Sequence, residues 1–424
     1  MKVIGIIAEY NPFHKGHAYQ IETMKKKLQA DYLIIAMSGN FVQRGVPALL
    51  DKFTRTKMAL SAGADLVLEL PVLYATASAE YFAKGGVSLL HNTGIVTHLG
   101  FGIENNMIDL LQEIADTLLT PPEAFQNKLQ QELKNGNSFP VARSIALKSY
   151  FSIYKSVNIH QLEKILASPN NILAIEYLKA LAYYNSKLIP FPLLRRGKGY
   201  HDTSIAKDFC SASAIRAFLQ KKEATIRNLV PVTSSISFTP LELAMPEIAF
   251  DIFKNYSHPL LFEDDFSPLL HYKFLMETLD TLSTYADSSL ALARRIKHEL
   301  SAFTCWSKFC AHLKCKNITY THLNRLFLHI LLEICQEDYQ NFLAPSYLRI
   351  LGFRKSSASL LTALKKHSNL PIVTSPANAM HVLPIPAQHL LSYDLTSTNL
   401  YQIGLTAKGD TSLKNDYQQP ILRL

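Results

Sequence analysis

Residues 2–17, KVIGIIAEYNPFHKGH, decide the fold of this chain. The segment opens with a continuous apolar run, Val3–Ala8, and continues into a polar turn that contains Asn11 and Pro12. Apolar runs of this length are typical of strands in a parallel sheet, because helices cover both faces of such a sheet. We therefore predict a buried first strand over Lys2–Glu9, followed by a helix that begins at His17.

The first hundred residues repeat this alternation of strand and helix. Strand–helix repetition of this kind predicts an α/β fold with a doubly wound, Rossmann-like parallel sheet. Asp51 directly precedes one of the helical patterns, where an N-cap residue would stand. The predicted strands cover Lys2–Glu9, Asp31–Met37, Ala64–Leu70 and Thr97–Phe101, and the predicted helices cover His17–Gln29, Asp51–Ala62 and Ser78–Asn92.

The rest of the chain is predicted to be mainly helical. Residues 121–220 and 249–367 have helical apolar spacing, whereas residues 226–250 are rich in Pro, Ser and Thr and resemble a connection. After Asn369 the prolines predict short strand-like pieces. We divide the chain into an α/β domain at residues 1–225 and a mainly helical, basic region at residues 226–424.

Composition excludes several classes of protein. Hydrophobic residues make up 48% of the 424, which is typical of a globular chain and not of a disordered one. Every apolar stretch is shorter than the roughly 20 residues that span a bilayer. Val3–Ala8 is also too short for a signal peptide and lacks a small-residue cleavage site. We therefore expect a cytosolic protein without membrane association.

The chain has five cysteines, an odd number that favours reduced thiols over a disulfide framework. Cys305, Cys310 and Cys315 are five residues apart, whereas zinc motifs use shorter gaps. We therefore predict no metal site from these residues.

Positive charge is concentrated in one segment. Residues 290–370 contain twelve Lys and Arg against four Asp and Glu, a net charge of +8, and the whole chain carries +9. A basic excess confined to one segment is expected of a protein that binds a polyanion. A solvated basic face without a partner explains the same charge, and both interpretations stay open.

The chemistry is concentrated in His14-Lys15-Gly16-His17, directly after the first strand. Open α/β sheets bind ligands where strands end and helices begin. Gly16 lets the backbone approach a phosphate, and the helix N-terminus offers unpaired N–H groups. His14 and His17 can donate hydrogen bonds to an α-phosphate whose charge grows in the transition state. The alternative is a turn with two surface histidines.

This segment resembles the HxGH signature of a nucleotidyltransferase superfamily, whose members transfer adenylyl groups without a covalent enzyme intermediate. A second superfamily element resembles Ser211-Ala212-Ser213-Ala214-Ile215-Arg216. By this resemblance, Ser211, Ser213 and Arg216 hold the β- and γ-phosphates of ATP at a helix start. Simple N-capping explains the two serines equally well. The resemblance makes residues 1–225 the ATP-binding catalytic domain.

Further motifs are similar to the bacterial tRNA(Met) cytidine acetate ligase family. They are Met37–Gly45, Pro169–Leu173, Gly199–Asp202 and Tyr347–Phe353. The resemblance implies activation of acetate with ATP, magnesium as the counter-ion of ATP, and acetylation of N4 of the wobble cytidine of elongator tRNA(Met). It implies His14 and His17 as catalytic residues. The ATP-binding residues implied are Ile7, Ala8, Glu9, Tyr10, Asn11, Pro12, Phe13, His14, Lys15, Gly16, His17, Ala18, Tyr19, Gln20, Gly102, Asn170 and Arg195, besides Ser211, Ser213 and Arg216.

The chain departs from the family pattern at Lys15, where Asn is common, at Ile103, where Ser is common, and at Ala174, where Gly is common. The departure at Ile103 bears on the Gly102 loop. Arg44, Lys52 and Arg55 either face phosphate or RNA or are ordinary bases on a helix surface.

Two other functions remain open on the sequence. The first is a small-molecule adenylyltransferase of cofactor biosynthesis, although a small substrate does not require the basic C-terminal half of the chain. The second is a non-catalytic RNA-binding protein, although His14, Gly16, His17 and Arg216 are all intact. The sequence does not identify the residues of the acetate pocket, the general base of the cytidine step or the oligomeric state.

Overall fold

The computed structural model describes residues 1–155, 157–195, 211–228 and 239–424. The motif at 199–202, residue 196 and Cys210 lie outside the described residues. The strands are β1 (Val3–Ala8), β2 (Tyr32–Ser38), β3 (Phe41–Val42), β4 (Val46–Pro47), β5 (Leu66–Leu70), β6 (His98–Ile103), β7 (Ile189–Leu194), β8 (Leu348–Phe353), β9 (Ile372–Val373) and β10 (Leu422–Arg423).

Helices cover most of the remaining described chain. Up to residue 228 they are α1 (Lys15–Leu28), α2 (Lys52–Ser61), α3 (Val72–Ala75), α4 (Ala79–His91), α5 (Ile108–Leu119), α6 (Glu123–Lys134), α7 (Phe139–Tyr154), α8 (Ile159–Ala167), α9 (Pro169–Tyr183) and α10 (Ala212–Asn228). From residue 239 they are α11 (Thr239–Ala244), α12 (Glu247–Lys254), α13 (Ser267–Met276), α14 (Leu279–Thr284), α15 (Leu290–His298), α16 (Trp306–Leu313), α17 (Tyr320–Leu332), α18 (Asp338–Asn341), α19 (Ala358–His367), α20 (Pro376–Val382) and α21 (Ile385–Ala407). Short 3₁₀ helices lie at Glu263–Phe266, Leu300–Ala302 and Lys355–Ser357.

The central sheet has the strand order β10-β8-β5-β2-β1-β6-β7, with β9 paired to β8. The first strand lies between β2 and β6 and is parallel to both, so that Ile6 is opposite Ile35 on one side and Gly100 on the other. Because β5, β2, β1, β6 and β7 all run in one direction, their carboxyl ends lie along one edge. The doubly wound α/β domain predicted from the sequence is confirmed.

Both faces of the sheet are buried, as the apolar strand patterns predict. Ile4 and Ile6 pack into one core cluster, whereas Val3 and its neighbours Ile34 and Ala36 on β2 pack into the other. Side chains alternate between the two faces because the repeat of a strand is two residues. Helices therefore cover both faces, and ligand access is left at the strand ends.

Asp51 is confirmed as the N-cap of α2. Its Oδ1 accepts hydrogen bonds from the N–H groups of Phe53 at 2.8 Å and Thr54 at 3.0 Å. These bonds satisfy backbone donors that have no partner within the helix. The cap fixes where the chain turns from the loop after β4 into α2.

The later chain is mainly helical, as predicted, but several of its elements were not predicted. β7 and β8 are strands within segments predicted to be mainly helical. After Asn369 the chain forms the helices α20 and α21, which were not predicted, besides the two short strands β9 and β10. Pro190 and Pro192 explain why β7 was not predicted as a strand. Proline is tolerated in β7 because β7 is an edge strand, where some backbone N–H groups have no partner in the sheet. Pro376 and Pro386 stand in the first turns of α20 and α21, where proline starts a helix.

Three strands from the second half of the chain extend the sheet of the first half. β8 pairs antiparallel with β5, and β10 and β9 pair parallel with β8. The hydrogen-bonded sheet therefore continues beyond residue 225. The division into functional regions at 1–225 and 226–424 stays a prediction.

Lys52 is buried inside an ionic cluster, so the hypothesis that it faces phosphate or RNA is wrong. Its ammonium binds Glu69 at 2.8 Å and Asp416 at 2.9 Å, and Arg349 binds the same two carboxylates at 3.0 and 3.1 Å. Buried charges require partners of this kind because desolvation of a lone ion is costly. The cluster ties α2, β5 and β8 to the C-terminal segment.

Arg55 is also buried, and its side chain donates hydrogen bonds to backbone carbonyl oxygens. Its guanidinium donates to the carbonyl oxygens of Leu50, Glu9 and Ser38 at 2.9, 2.7 and 3.0 Å, and also to that of Gly39. The hypothesis of phosphate or RNA contact is therefore wrong for Arg55 as well. Its bonds hold the ends of β1 and β2 together at the edge where ligands are expected.

The four described cysteines are free, and Cys310 is buried with its thiol 3.2 Å from Asn324 Oδ1. Within the described ranges, no group of three or more His, Cys, Asp or Glu is arranged to hold a metal ion. None of the described helices is long and apolar enough to cross a membrane.

Candidate active site

A cavity of about 410 Å³ opens at the carboxyl edge of the parallel strands. A volume of this size is typical of small-molecule sites. The predicted site residues that border it are Ile7, Ala8, Glu9, Tyr10, Asn11, His14, His17, Gln20, Gly102, Asn170, Arg195, Ser211, Ser213 and Arg216. The two motifs found in the sequence, the HxGH turn and the Ser-Ala-Ser segment, therefore meet at one place.

The HxGH turn has a defined hydrogen-bond pattern. His14 is the N-cap of α1, and its Nδ1 accepts from Gly16 N–H at 3.0 Å. His17 Nδ1 accepts from His14 N–H at 3.3 Å. A neutral imidazole has one acceptor and one donor nitrogen. With each Nδ1 occupied by a backbone donor, each ring has its proton on Nε2 and can donate it to a ligand.

The two imidazoles are neutral in the absence of a ligand. Their rings stack with centroids 3.7 Å apart. Burial lowers the pKa of His14 to about 3, and the nearby Arg195 contributes to the same shift. Burial, His14 and Arg195 lower the pKa of His17 well below its usual value. Two adjacent cations would repel each other, so the site presents two neutral N–H donors until an anion binds.

Helix N-termini surround the cavity. α1 begins at the HxGH turn, α9 brings Asn170, α10 brings Ser213, and α17 brings Tyr320 in its first turn. Each helix start has unpaired N–H groups and a partial positive charge. Their convergence makes the cavity suitable for a ligand with several anionic groups.

Asn170 and Arg195 form one polar chain beside Gly102. Arg195 Nη1 donates to Asn170 Oδ1 at 3.3 Å, and Asn170 Nδ2 donates to Glu104 Oε1 at 2.7 Å. A Cβ placed on Gly102 would lie 3.2 Å from Arg195 Cγ, tighter than an ordinary contact. Glycine at residue 102 therefore leaves room for the Arg195 side chain. Asn171 is buried and instead fixes the loop after β6, because its Oδ1 accepts from Glu104 N–H at 2.9 Å.

The Ser-Ala-Ser segment starts α10 as predicted. Ser211 Oγ accepts from Ala214 N–H at 3.2 Å and lies 3.2 Å from Ser213 Oγ. Capping and a role in ligand binding are compatible here, since both serines also border the cavity. Arg216 Nη1 donates to Asn11 Oδ1 at 3.2 Å and to the Pro47 carbonyl at 3.0 Å.

The other predicted site residues lie around the same turn. Gly16 and Tyr19 border a smaller adjoining cavity of about 40 Å³ together with His14, His17 and Arg195. Pro12, Phe13, Lys15 and Ala18 border neither of these two cavities. Phe13 is fully buried against Tyr10 and His17 and supports the turn from behind.

Several residues that border the cavity were not among the site residues predicted from the sequence. Val42, Gln43, Arg44 and Val46 come from the hairpin of β3 and β4, and Arg44 was the one residue of this hairpin considered as a phosphate or RNA contact. Phe82, Phe101, Leu173 and Tyr177 come from the first half of the chain, whereas Glu263, Tyr320, Thr321 and Asn324 come from the second. No sequence pattern marks this second group, because tertiary packing alone brings it to the strand edge.

Basic residues of segment 290–370 lie in two different parts of the structure. Lys314 and Lys316 lie in the connection that leads into α17, whose first turn borders the cavity. Lys365 and Lys366 lie near the end of α19. Just after this helix, the Asn369 N–H donates a hydrogen bond to the carbonyl of Asn92, which precedes β6. Strand beginnings are at the opposite sheet edge from the cavity. The exposed bases of the segment are Arg294, Lys308, Lys314, Lys316, Lys355, Lys365 and Lys366.

Comparison with known proteins matches the chain over almost its whole length. A sequence model of the family described as HIGH Nucleotidyl Transferase matches residues 1–416. The tRNA(Met) cytidine acetate ligase of Acetivibrio thermocellus is 38% identical over 407 residues, which are 95% of this chain and 94% of that protein. The enzyme of the same name from a Thermoanaerobacter species is 36% identical over 428 residues, and the match covers 100% of both chains.

The chain belongs to the tRNA(Met) cytidine acetate ligase family of HIGH nucleotidyltransferases.

Solved structures of this family have the same fold. The apo structure of Thermotoga maritima TmcAL superposes with a TM-score of 0.92 at 33% identity, covering 100% of both chains. The structure of the same protein bound with alpha-thio ATP gives a TM-score of 0.90 at 32% identity, also covering 100% of both chains. The described part of this chain therefore has the fold of the two TmcAL structures.

Proposed function

We propose that this protein activates acetate with ATP and transfers the acetyl group to N4 of the wobble cytidine of elongator tRNA(Met). The observation that carries the proposal is the stacked pair His14 and His17, two neutral donors at a helix start within a cavity of nucleotide size. Relatives of full length are named for this activity, and one of them binds an ATP analogue.

ATP is proposed to lie across the HxGH turn. The Nε2–H groups of His14 and His17 would donate to the α-phosphate, where negative charge increases as the new bond forms. Arg216 and the start of α10 would hold the β- and γ-phosphates. Asn170, Arg195 and Gly102 would border the nucleoside part. We expect magnesium to arrive as the counter-ion of ATP.

The chemistry explains why ATP is needed. Acetate lacks a usable leaving group, so its carboxylate attacks the α-phosphorus, and acetyl-adenylate forms with loss of pyrophosphate. AMP is then a good leaving group. N4 of cytosine is a weak nucleophile because its lone pair is delocalised into the ring, so an activated acyl donor and close positioning are both required. A wobble base is unpaired in free tRNA and can enter a cavity.

Neither alternative function has support in the comparisons. A small-molecule adenylyltransferase would not require the second half of the chain, yet the named relatives match both halves. A non-catalytic RNA-binding protein would not need the hydrogen-bonded HxGH turn at a cavity.

Mass spectrometry of nucleosides tests the proposal. The protein is incubated with ATP, isotopically labelled acetate and unmodified elongator tRNA(Met), and the tRNA is digested. We expect labelled N4-acetylcytidine that depends on both ATP and acetate. A tRNA with a different wobble base serves as the control. Absence of labelled acetylcytidine from the cognate tRNA would contradict the proposed function.

A further inference from the structure

The acetyl-transfer step needs a proton acceptor that the HxGH turn does not supply. When N4 of cytidine forms its bond to the acetyl carbon, the nitrogen must lose a proton. His14 and His17 have no free lone pair, because each Nδ1 already accepts a backbone N–H. Arg195 and Arg216 are donors only. The base must therefore come from another group.

Two carboxylates border the cavity among the described residues, Glu9 and Glu263. Glu263 lies 3.6 Å from the Arg216 guanidinium and serves as its counter-ion. Glu9 follows β1 directly, and its Oε1 accepts a hydrogen bond from Gln43 N–H at 3.0 Å. A carboxylate has two oxygens and about four lone-pair positions, so this bond leaves Glu9 able to accept a proton.

Glu9 is held firmly and faces a distinct part of the cavity. Arg55 fixes its backbone, donating to the Glu9 carbonyl at 2.7 Å. Its carboxylate reaches toward the hairpin of β3 and β4, at Gln43, instead of following α1. The cavity wall there is completed by the first turn of α17, at Tyr320 and Thr321. This part lies on the opposite side of β1 from Gly102 and Asn170, where the nucleoside of ATP is proposed to bind.

The surroundings of Glu9 increase the proton affinity of its carboxylate. Burial raises the pKa of the Glu9 carboxyl, and this effect outweighs the opposing influence of Arg44, Arg55 and Arg216. Burial and the negative charge of Glu9 also raise the pKa of the Tyr177 hydroxyl. A carboxylate whose pKa is raised accepts a proton more readily than an ordinary one.

We propose that the Glu9 carboxylate is the general base of acetyl transfer, receiving the proton of N4 as that nitrogen attacks the acetyl carbon. This inference rests on the proposed function. A C–N bond forms, the bond between the acetyl carbon and the AMP oxygen breaks, and AMP leaves with the electron pair. The proton passes from N4 to Glu9 and then to solvent. Acetyl-adenylate formation requires no proton acceptor, so in that step Glu9 acts only as one of the predicted ATP-binding residues.

The variant Glu9→Gln separates the two half-reactions. The amide keeps an oxygen for the Gln43 N–H but cannot accept a proton. We expect acetate-dependent exchange of labelled pyrophosphate into ATP to fall much less than transfer does, because the amide keeps the hydrogen bond that positions residue 9 beside the predicted ATP site. Acetylcytidine formation should fall by about 10²–10⁴, the usual contribution of a general base. Glu22→Gln, on the exposed face of α1, is the matched control and should change neither rate.

A pH profile provides a second readout. In single-turnover acetyl transfer, the wild-type rate should rise with pH as Glu9 loses its proton and then level off, whereas Glu9→Gln should lack this limb. Glu9→Asp should regain part of the transfer rate. Equal loss of exchange and transfer in folded Glu9→Gln, or retention of both, would overturn the inference. If the variant does not fold, a wild-type profile without the acidic limb would overturn it. Wild-type failure to acetylate tRNA would instead refute the proposed function.

Discussion

His14 and His17 have their tautomers set by the backbone of their own helical turn. Each Nδ1 accepts a backbone N–H, so each Nε2 keeps its proton and faces the ligand side. Lys15 departs from the family pattern without affecting this arrangement, because it borders neither of the two cavities at the turn. Removal of either ring takes away a donor that acts on growing negative charge.

We predict that His17→Ala lowers acetate-dependent pyrophosphate exchange into ATP by about 10²–10³, the typical effect of removing one such donor. Binding of tRNA should persist, since the basic residues are elsewhere. His160→Ala provides the control because the His160 side chain is 88% exposed on α8. Unchanged exchange in His17→Ala would mean that the turn does not act on the α-phosphate.

The low pKa of His14 also predicts a pH-dependent stability. An unfolded histidine binds a proton below about pH 6.5, whereas folded His14 has a pKa of about 3. Between these values the unfolded chain holds more protons, so acidification should favour unfolding by about 1.4 kcal/mol per pH unit. Asparagine at residue 14 preserves an N-cap acceptor. We expect the unfolding free energy of His14→Asn, measured in urea, to fall less steeply between about pH 6.5 and 4.5. Parallel slopes for both proteins would contradict this.

Among the elements, the hairpin of β3 and β4 depends on Gly45. This residue has φ of +70°, and a Cβ there would lie 2.4 Å from the backbone nitrogen of Arg325 in α17. Gly136 has a similar φ of +80°, but nothing lies within 4 Å of a Cβ built on it. A substitution at Gly136 therefore tests backbone strain alone, whereas the same substitution at Gly45 tests backbone strain together with a steric clash.

We expect Gly136→Ala to lower the unfolding free energy by about 1 kcal/mol, from the left-handed backbone alone. Gly45→Ala should lower it by about 3 kcal/mol, because overlap with α17 adds to the same strain. Urea unfolding of both variants measures the difference. Gly45→Ala should also impair ATP-dependent activity, since Gln43 and Arg44 lie in the same turn. Equal destabilisation of the two variants would show that the hairpin and α17 separate at little cost.

β1, β2, β5 and β6 were predictable because each is a short, largely apolar segment that alternates with a helical pattern. β7 and β8 were not, since prolines interrupt one and the other lies within a long helical pattern. The same limit applies to the cavity. The HxGH turn and the start of α10 have local signatures, whereas Glu263, Tyr320 and Thr321 reach the cavity through packing between distant segments. Glu9 was predicted in the ATP site, but its carboxylate acquires a distinct neighbourhood only when β1 meets the β3–β4 hairpin.

At the scale of the whole molecule, the location of basic residues bears on the tRNA partner. Lys308, Lys314 and Lys316 are exposed on α16 and in the connection to α17, whereas Lys355, Lys365 and Lys366 are exposed near α19. A tRNA whose wobble base enters the cavity should contact the first set, because α17 borders the cavity.

We predict that a triple Lys→Gln variant at residues 308, 314 and 316 weakens binding of elongator tRNA(Met). The slope of log affinity against log salt concentration should decrease by about 0.7–0.9 for each phosphate that the variant no longer neutralises. The triple Lys→Gln variant at 355, 365 and 366 removes the same charge from the other site and should bind as the wild type does. A larger effect of the second variant would place tRNA on the opposite sheet edge.

We propose that acetate attacks the innermost phosphorus of ATP at the His14–His17 turn. Oxygen-18-labelled acetate tests it most directly, because attack on the α-phosphorus leaves one acetate oxygen in the phosphate of AMP when the acetyl group is transferred. Mass spectrometry of AMP from complete turnover should show one labelled oxygen per acetylcytidine formed. Formation of ADP with the label in inorganic phosphate, or of unlabelled AMP with the label in pyrophosphate, would show attack on a different phosphorus.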